Sequence, residues 1–194
     1  MIFPDKKLVR KAPKLESKRL FMRPFTLKDA RICSRMNWET RGKPIKTIEQ
    51  AEKYLKRIID KGEDGYYLGV FLRETNELIG NLEFCHLSWY RDLAGELCYG
   101  FHENYWGKGY ATEASKCFVD YLFRKVKMHK ITADTNPYNF ASQKVLYKLG
   151  FKLEGVAKEK NLDRKTNIWK DEYNWGLLRK DWLLKHKKPL FKIK

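Results

Sequence analysis

The sequence predicts a single α/β domain with a mixed, mostly antiparallel sheet and helices on both faces. Segments with strand-like alternation and segments with helical spacing follow one another in the order βααβββαβαββ. A loop containing two glycines also stands between a strand-like run and a helix near the middle of the chain. At 194 residues the chain fits one ordinary domain with a full core.

The first elements lie between residues 18 and 101. Residues 18–25 are predicted to form a strand, which Pro24 limits to an edge position or to its end. Residues 26–29 resemble a helix start, and Thr47-Ile48-Glu49-Gln50 has the pattern of a capping box. Apolar residues at helical spacing follow that box, namely Ala51, Tyr54, Leu55, Ile58 and Ile59. A meander of three antiparallel strands is expected next, at residues 66–72, 78–87 and 94–101.

The glycine loop reads Trp106-Gly107-Lys108-Gly109-Tyr110 and opens into a helix that ends near residue 127. Two glycines let the backbone approach a ligand closely, and the first amides of a helix direct unpaired donors and the positive dipole end at an anion. The apolar residues of the helix share one face, namely Ala111, Ala114, Phe118, Tyr121 and Leu122. This context predicts a loop that binds a pyrophosphate.

Two nucleotide-binding loops fit the segment poorly. A Walker A loop needs G-x-x-x-x-G-K-[ST], which is not found here. A Rossmann loop needs a third glycine or alanine where Thr112 stands, although Asp134 at a predicted strand end keeps a dinucleotide interpretation open. A glycine turn without a ligand is the remaining alternative.

The second half continues with a strand at residues 130–135, a helix at 139–149 and strands at 151–162 and 167–178. Asn139 and Gly150 are preferred helix caps, which accounts for both residues without any ligand. The glycine loop and Asn139 nevertheless follow adjacent strands, so the two helix N-termini are expected to flank one crevice.

We divide the chain into a basic leader (residues 1–17), a domain (18–183) and a basic tail (184–194). The net charge of +17 favours polyanionic partners such as a phosphorylated cofactor or RNA, and a lysine-rich solvated surface explains it equally well. Residues 1–18 do not form a cleavable signal, and no apolar stretch approaches membrane-spanning length. We expect a soluble cytoplasmic protein without membrane contacts.

The four cysteines are Cys33, Cys85, Cys98 and Cys117. They show neither C-x-x-C pairing nor a histidine at metal-ligand spacing, although His86 adjoins Cys85. The sequence therefore predicts free thiols in a reducing compartment and no metal site.

The chain resembles the GNAT family of N-acetyltransferases, and within it the ribosomal-protein N-terminal acetyltransferases. The resemblance rests on segments in matching order: Arg19-Leu20-Phe21-Met22-Arg23-Pro24 with Asp29-Ala30, Leu78-Ile79-Gly80, Trp106 to Ala114, Asn139 with Ser142, Lys148 to Phe151, Glu154-Gly155 and Leu177 to Trp182. Together they span most of the chain.

The resemblance implies that acetyl-CoA binds with its pyrophosphate on the glycine loop and its pantetheine arm between residues 97–101 and 130–135. Asn139 would bind the arm, and Ser142 would face the thioester sulfur. The implied contact residues are Tyr99, Gly100, Phe101, Trp106, Gly107, Lys108, Gly109, Tyr110, Ala111, Thr112, Asn139 and Ser142.

The chain departs from the family at the proton donor. Many relatives carry a tyrosine where this sequence has Leu146, and Tyr147 stands one residue too late. One helical residue is a rotation of about 100°, so Tyr147 is expected to point away from the thiol. Ser142, or a water near it, is our hypothesis for the donor.

The expected reaction is direct attack of a neutral amine on the thioester, with a backbone amide near Tyr99 or Gly100 stabilising the oxyanion. Glu96 and Glu83 are the candidate bases, acting directly or through water, and each could instead be a solvated strand carboxylate. A protein α-amine has a pKa of about 7.8, against about 10.4 for lysine, and therefore demands little of a base.

Three functions remain open at this point. The first is acetylation of a protein N-terminus, and the second is acetylation of a small amine such as a polyamine or an antibiotic. A polycationic acceptor would need an acidic pocket, which the net charge disfavours. The third is a ribosome- or RNA-associated binding module that uses the basic surface.

Overall fold

A computed structural model describes residues 12–35, 39–40, 43–60, 65–88, 92–163 and 166–193. The helices are α1 (Ala30–Arg35), α2 (Ile48–Asp60), α3 (Tyr110–Tyr121), α4 (Phe140–Leu149) and α5 (Arg179–Lys185). The strands are β1 (Leu15–Glu16), β2 (Leu20–Pro24), β3 (Glu39–Thr40), β4 (Lys43–Pro44), β5 (Tyr66–Leu72), β6 (Leu78–Ser88), β7 (Ala94–Phe101), β8 (Lys130–Thr135), β9 (Lys152–Asp163), β10 (Ile168–Leu178) and β11 (Lys192–Ile193).

Nine strands form one mixed sheet in the order β11-β1-β2-β5-β6-β7-β8-β10-β9. The ladder between β7 and β8 is parallel, and the other ladders of this sheet are antiparallel. The predicted α/β fold with a mixed, mostly antiparallel sheet is confirmed. Within the described ranges, no helix is long and apolar enough to cross a membrane.

The helix ends follow the local signals. The Gln50 N–H donates to Thr47 Oγ1 at 3.2 Å, and α2 begins at the next residue after Thr47. The Gln50 side chain accepts from the Lys46 N–H instead of that of Thr47, so only one half of the predicted capping box forms. Gly150 takes φ +94° at the end of α4, where a left-handed residue closes the helix.

The sheet separates two hydrophobic cores, because alternate side chains of a strand point to opposite faces. We call the side covered by α3 and α4 the closed face; its core includes Phe84, Leu97 and Phe118. We call the opposite side the open face. There α1 and α2 pack on Phe71 and Leu78, and so cover β5 and the beginning of β6.

Residues from both chain ends extend the edge of the sheet. β1 pairs with β11 through Leu15 opposite Ile193 and Glu16 opposite Lys192. The segments assigned to a leader and a tail therefore each contribute a strand, while residues 1–11 of the leader lie outside the described residues.

Candidate active site

The site begins where β7 and β8 part. Their parallel ladder joins residues 94–96 to residues 130–132 and ends at Glu96 opposite Thr132. Tyr99, Gly100 and Phe101 lie on β7 beyond that point. The Tyr99 hydroxyl donates to the Ser142 carbonyl at 3.1 Å, so this side chain reaches from β7 to the first turn of α4.

The glycine loop lies at the exposed N-terminus of α3. Gly107 and Gly109 take φ +74° and +78°, a backbone conformation that side chains with a Cβ resist. In the described part of the chain, no hydrogen bond involves the amides of residues 107–112, which include Lys108, Tyr110, Ala111 and Thr112. The Trp106 indole donates to the Phe101 carbonyl at 2.6 Å, which ties the loop to the end of β7. The unpaired amides at a helix start suit a phosphate group.

Arg19 and Glu113 fasten this loop to the neighbouring strand. The Glu113 carboxylate accepts from Ser17 Oγ and the Arg19 N–H, both at 2.8 Å, and from Arg19 Nε at 2.7 Å. Arg19 also donates to the Lys108 carbonyl at 3.1 Å, and its guanidinium lies 4.4 Å from the centroid of the Tyr110 ring. Burial alone would raise the pKa of Glu113, but the donors from Arg19 and Ser17 lower it.

Sequence reasoning missed a role for Arg19 and Glu113 at the loop. Their separation of 94 residues leaves no local pattern that could have linked them. The contact places a guanidinium beside the candidate phosphate site, where Glu113 balances its charge and its N–H groups add donors to those of the helix start.

The N-terminus of α4 supplies the second side of the crevice. Asn139 Oδ1 accepts from the Ser142 N–H at 3.1 Å, so Asn139 caps the helix as its residue type predicts. Leu146 is buried, whereas Tyr147 is 77% exposed, as the rotation of one helical position predicts. Ser142 is half-buried on the first turn of α4, and its hydroxyl remains our candidate for the proton donor.

Four carboxylates gather on the open face. Strand register places Glu83 opposite Cys98, and Glu96 opposite both Cys85 and Thr132. Asp134 follows two residues after Thr132, and it interacts with Glu172 of β10. Lys160 lies 3.6 Å from Asp134 and also pairs with Glu172.

The environment of Glu83 shifts the pKa of its carboxyl upward. Burial raises the pKa of its carboxyl, and the nearby Glu96 adds to that rise. Hydrogen bonds from Asn81, at 2.8 Å, and from Tyr54, together with the charge of Arg57, oppose it without cancelling it. A raised carboxyl pKa beside a crevice is typical of a proton acceptor.

Asp134 shows the same tendency, since burial and then the charges of Glu172 and Glu96 raise its pKa. The net charge of the chain disfavours an acidic pocket, yet these four carboxylates lie on one face of the sheet. The reason is that register on neighbouring strands, and not overall composition, decides which charges meet.

Comparison with known proteins identifies the family of the chain. Residues 19–152 match the model of the acetyltransferase (GNAT) domain. The chain is 30% identical over 173 residues to the uncharacterized N-acetyltransferase YnaD of Bacillus subtilis, covering 87% of this chain and 98% of YnaD.

A second relative and a solved structure each cover almost the whole chain. The ribosomal protein uS5-alanine N-acetyltransferase of Escherichia coli is 27% identical over 179 residues, covering 92% of this chain and 86% of the enzyme. The structure of Mycobacterium smegmatis RimJ in complex with CoA-disulfide shares the fold at a TM-score of 0.76 and 20% identity, with 95% of this chain and 97% of that chain covered. These matches agree with the glycine loop and the parted strands, and they show that the chain belongs to the GNAT family and is an acetyl-CoA-dependent N-acetyltransferase.

Proposed function

We propose that this enzyme acetylates the N-terminal α-amine of a protein, which enters the crevice from the open face. The observation that carries the proposal is Glu83, a carboxyl with a raised pKa on the face opposite the cofactor helices. An α-amine with a pKa of about 7.8 is already partly neutral near pH 7, so a carboxylate suffices to take its proton. The likeness to the uS5-alanine N-acetyltransferase supports the same acceptor class.

The residues of the glycine loop fit the phosphates of acetyl-CoA, which supplies the acetyl group as a thioester when bound. The unpaired amides of residues 107–112 and the Arg19 guanidinium hold the anionic end. The backbone of residues 97–101 lines the gap between β7 and β8, where the amide of Tyr99 or Gly100 would donate to the carbonyl oxygen.

The side chains of the open face would deprotonate and attract the acceptor amine. Glu83 takes the proton from the ammonium group, directly or through water. Glu96 and Asp134 add negative charge that attracts the cationic amine to the crevice. On the opposite side, the Ser142 hydroxyl would donate to the departing sulfur.

A polyamine is the second candidate acceptor, and the extended row of carboxylates favours it. Glu96, Asp134 and Glu172 continue away from Glu83 along the open face, and a second ammonium group would bind there by displacing Lys160 from Asp134 and Glu172. A protein N-terminus needs only one such charge.

A panel of acceptors separates the two candidates. The panel contains a peptide with a free N-terminal alanine, the same peptide with a blocked N-terminus and an internal lysine, and spermidine. We expect CoA release with the free peptide to exceed that with the other two by at least about 100-fold in kcat/KM, with mass spectrometry locating acetyl on the α-amine. Preference for spermidine would replace the first proposal with the second.

A further inference from the structure

Two thiols and a carboxylate meet on the open face between β6 and β7. Cys85 Sγ, a Glu96 carboxylate oxygen and Cys98 Sγ all lie within 4.8 Å of one another. Cys98 Sγ donates to Glu96 Oε1 at 3.3 Å. All three residues are half-buried.

We propose that Cys85, Glu96 and Cys98 form a binding site for a thiophilic divalent cation, specifically Zn²⁺. Zinc binds thiolates at about 2.3 Å and carboxylates at about 2.0–2.2 Å, usually as a tetrahedron. Two sulfurs of such a tetrahedron lie roughly 3.8 Å apart, which small side-chain rotations can reach from the observed spacing. Three protein ligands leave a fourth position for water. As the metal binds, the two thiols become thiolates and their protons go to solvent.

The charge around the trio also favours a cation. Glu83 and Asp134 lie on the same face, and both interact electrostatically with Glu96. Carboxylates grouped in this way raise the local concentration of cations. The buried thiols of Cys33 and Cys117 lie elsewhere, in the cores of the open and closed faces.

A disulfide fits the strand geometry less well. Cys85 lies opposite Glu96 and Cys98 lies opposite Glu83, so the two cysteines are diagonal neighbours. Diagonal residues of an antiparallel pair are typically about 7–8 Å apart, whereas disulfides usually join Cα atoms about 4.4–6.8 Å apart. A metal can span this distance because it stands between the sulfurs.

Local spacing in the sequence does not reveal this group of ligands. Cys85 and Cys98 are thirteen residues apart and show none of the local spacings of zinc motifs. The antiparallel register of β6 and β7 brings them together.

Binding has a consequence that rests on the proposed function. A bound cation would occupy Glu96 and place positive charge next to Glu83, which weakens the attraction for an amine acceptor. Zn²⁺ is therefore expected to inhibit acetylation in competition with the amine, while binding of acetyl-CoA stays unchanged.

Binding is tested first on the full chain, kept reduced by a phosphine and free of chelators. Co²⁺ should produce a thiolate charge-transfer absorbance that Zn²⁺ displaces at one equivalent. Cys85→Ser and Cys98→Ser, made separately, should each weaken Zn²⁺ binding by at least about 100-fold in competition with a chromophoric chelator. Loss of a residue that only hydrogen-bonds to a metal ligand already lowers metal affinity by about 10–100-fold. Cys117→Ser is the matched control and should bind as the wild type does.

Absence of the cobalt band would overturn the proposal, as would unchanged Zn²⁺ affinity in either folded serine variant. A loss of two mass units on mild oxidation, without metal binding, would assign the pair to a disulfide instead. Zinc binding without inhibition would keep the metal site and remove its link to the acceptor, so that the two proposals fail independently.

Discussion

The carboxylates on the two faces of the sheet differ in burial and in hydrogen-bond partners. On the closed face, Asp120 is fully buried and accepts from Trp182 Nε1 at 2.6 Å, from the Leu190 N–H at 2.7 Å and from Arg124 Nε at 2.8 Å. On the open face, Glu83 is half-buried and accepts from the neutral groups of Asn81 and Tyr54, with a second carboxylate nearby.

This difference distinguishes a carboxylate that stabilises the fold from one that is suited to proton transfer. A buried carboxylate that is paired with a cation and satisfied by several donors holds segments together, here α3, α5 and the segment around Leu190. For Glu83, burial and then the like-charged Glu96 raise the pKa, and Asn81, Tyr54 and Arg57 oppose this rise only in part. The closed face is therefore suited to stability and the open face to proton transfer.

The largest effect is expected for Asp120→Ala on the closed face. The substitution leaves Arg124 Nε, Trp182 Nε1 and the Leu190 N–H without their shared acceptor, and breaking a buried pair costs about 3–5 kcal/mol. Urea denaturation measures the loss. The control is Asp171→Asn, which removes the exposed pair with Lys158 and should leave the midpoint almost unchanged. A small effect at Asp120 would remove the contrast between the faces.

On the open face, Glu83→Gln should lower kcat/KM by roughly 10²-fold, about 2.7 kcal/mol, with little change in the unfolding midpoint. The amide is similar in shape to the carboxylate but cannot accept the proton from the amine. Steady-state kinetics at pH 7 provide the measurement, with Glu154→Gln on β9 as the control. Retained activity would move the role of base to Glu96.

At the crevice, Ser142→Ala should reduce kcat by no more than roughly 10²-fold, because a thiol with a pKa of about 8.5 is a tolerable leaving group. Tyr147→Phe is the matched comparison and should change little, since that ring is exposed. Single-turnover rates distinguish the two variants. A loss confined to Tyr147→Phe would contradict the assignment of Ser142.

The glycine loop gives a smaller effect that belongs to cofactor binding. Gly109→Val should weaken CoA binding about tenfold. The left-handed backbone at φ +78° is disfavoured for a β-branched residue by about 1–2 kcal/mol, so valine should shift the loop and displace the amides that follow. Titration calorimetry with CoA measures the change. Gly155→Val, on β9 with no atom within 4 Å of its added Cβ, is the control. Unchanged affinity at Gly109 would place the phosphates elsewhere.

The smallest effect concerns pH. Glu83 must be deprotonated to accept a proton, so kcat/KM should rise with pH through a pKa above the ordinary glutamate value. The Tyr54 hydroxyl lowers the pKa of Glu83, and Tyr54→Phe should therefore move this rise to higher pH. Activity well above the rise should be unaffected. A shift to lower pH would show that Glu83 is not the group observed.

Local signals in the sequence predicted the glycine loop and most of the elements, but not α5 or the short strands β1, β3, β4 and β11. The turn at Gly109, the cap at Asn139 and the closure at Gly150 each depend on residues within one helical turn, and each lies where the pattern indicated. The helix period alone also distinguished buried Leu146 from exposed Tyr147. These features need no knowledge of distant contacts.

Contacts between distant segments were decided only by the tertiary structure. Three features join residues from different segments of the chain: the Arg19–Glu113 ion pair, the carboxylates of the open face, and the group of Cys85, Glu96 and Cys98. Periodicity states which face of a strand a residue occupies, but not which strand lies beside it or in what register. By itself the sequence thus determined the order of the longer strands and most helices and the position of the glycine loop, whereas strand pairing decided which charges meet, because side chains interact across a few ångströms whatever their separation in the chain.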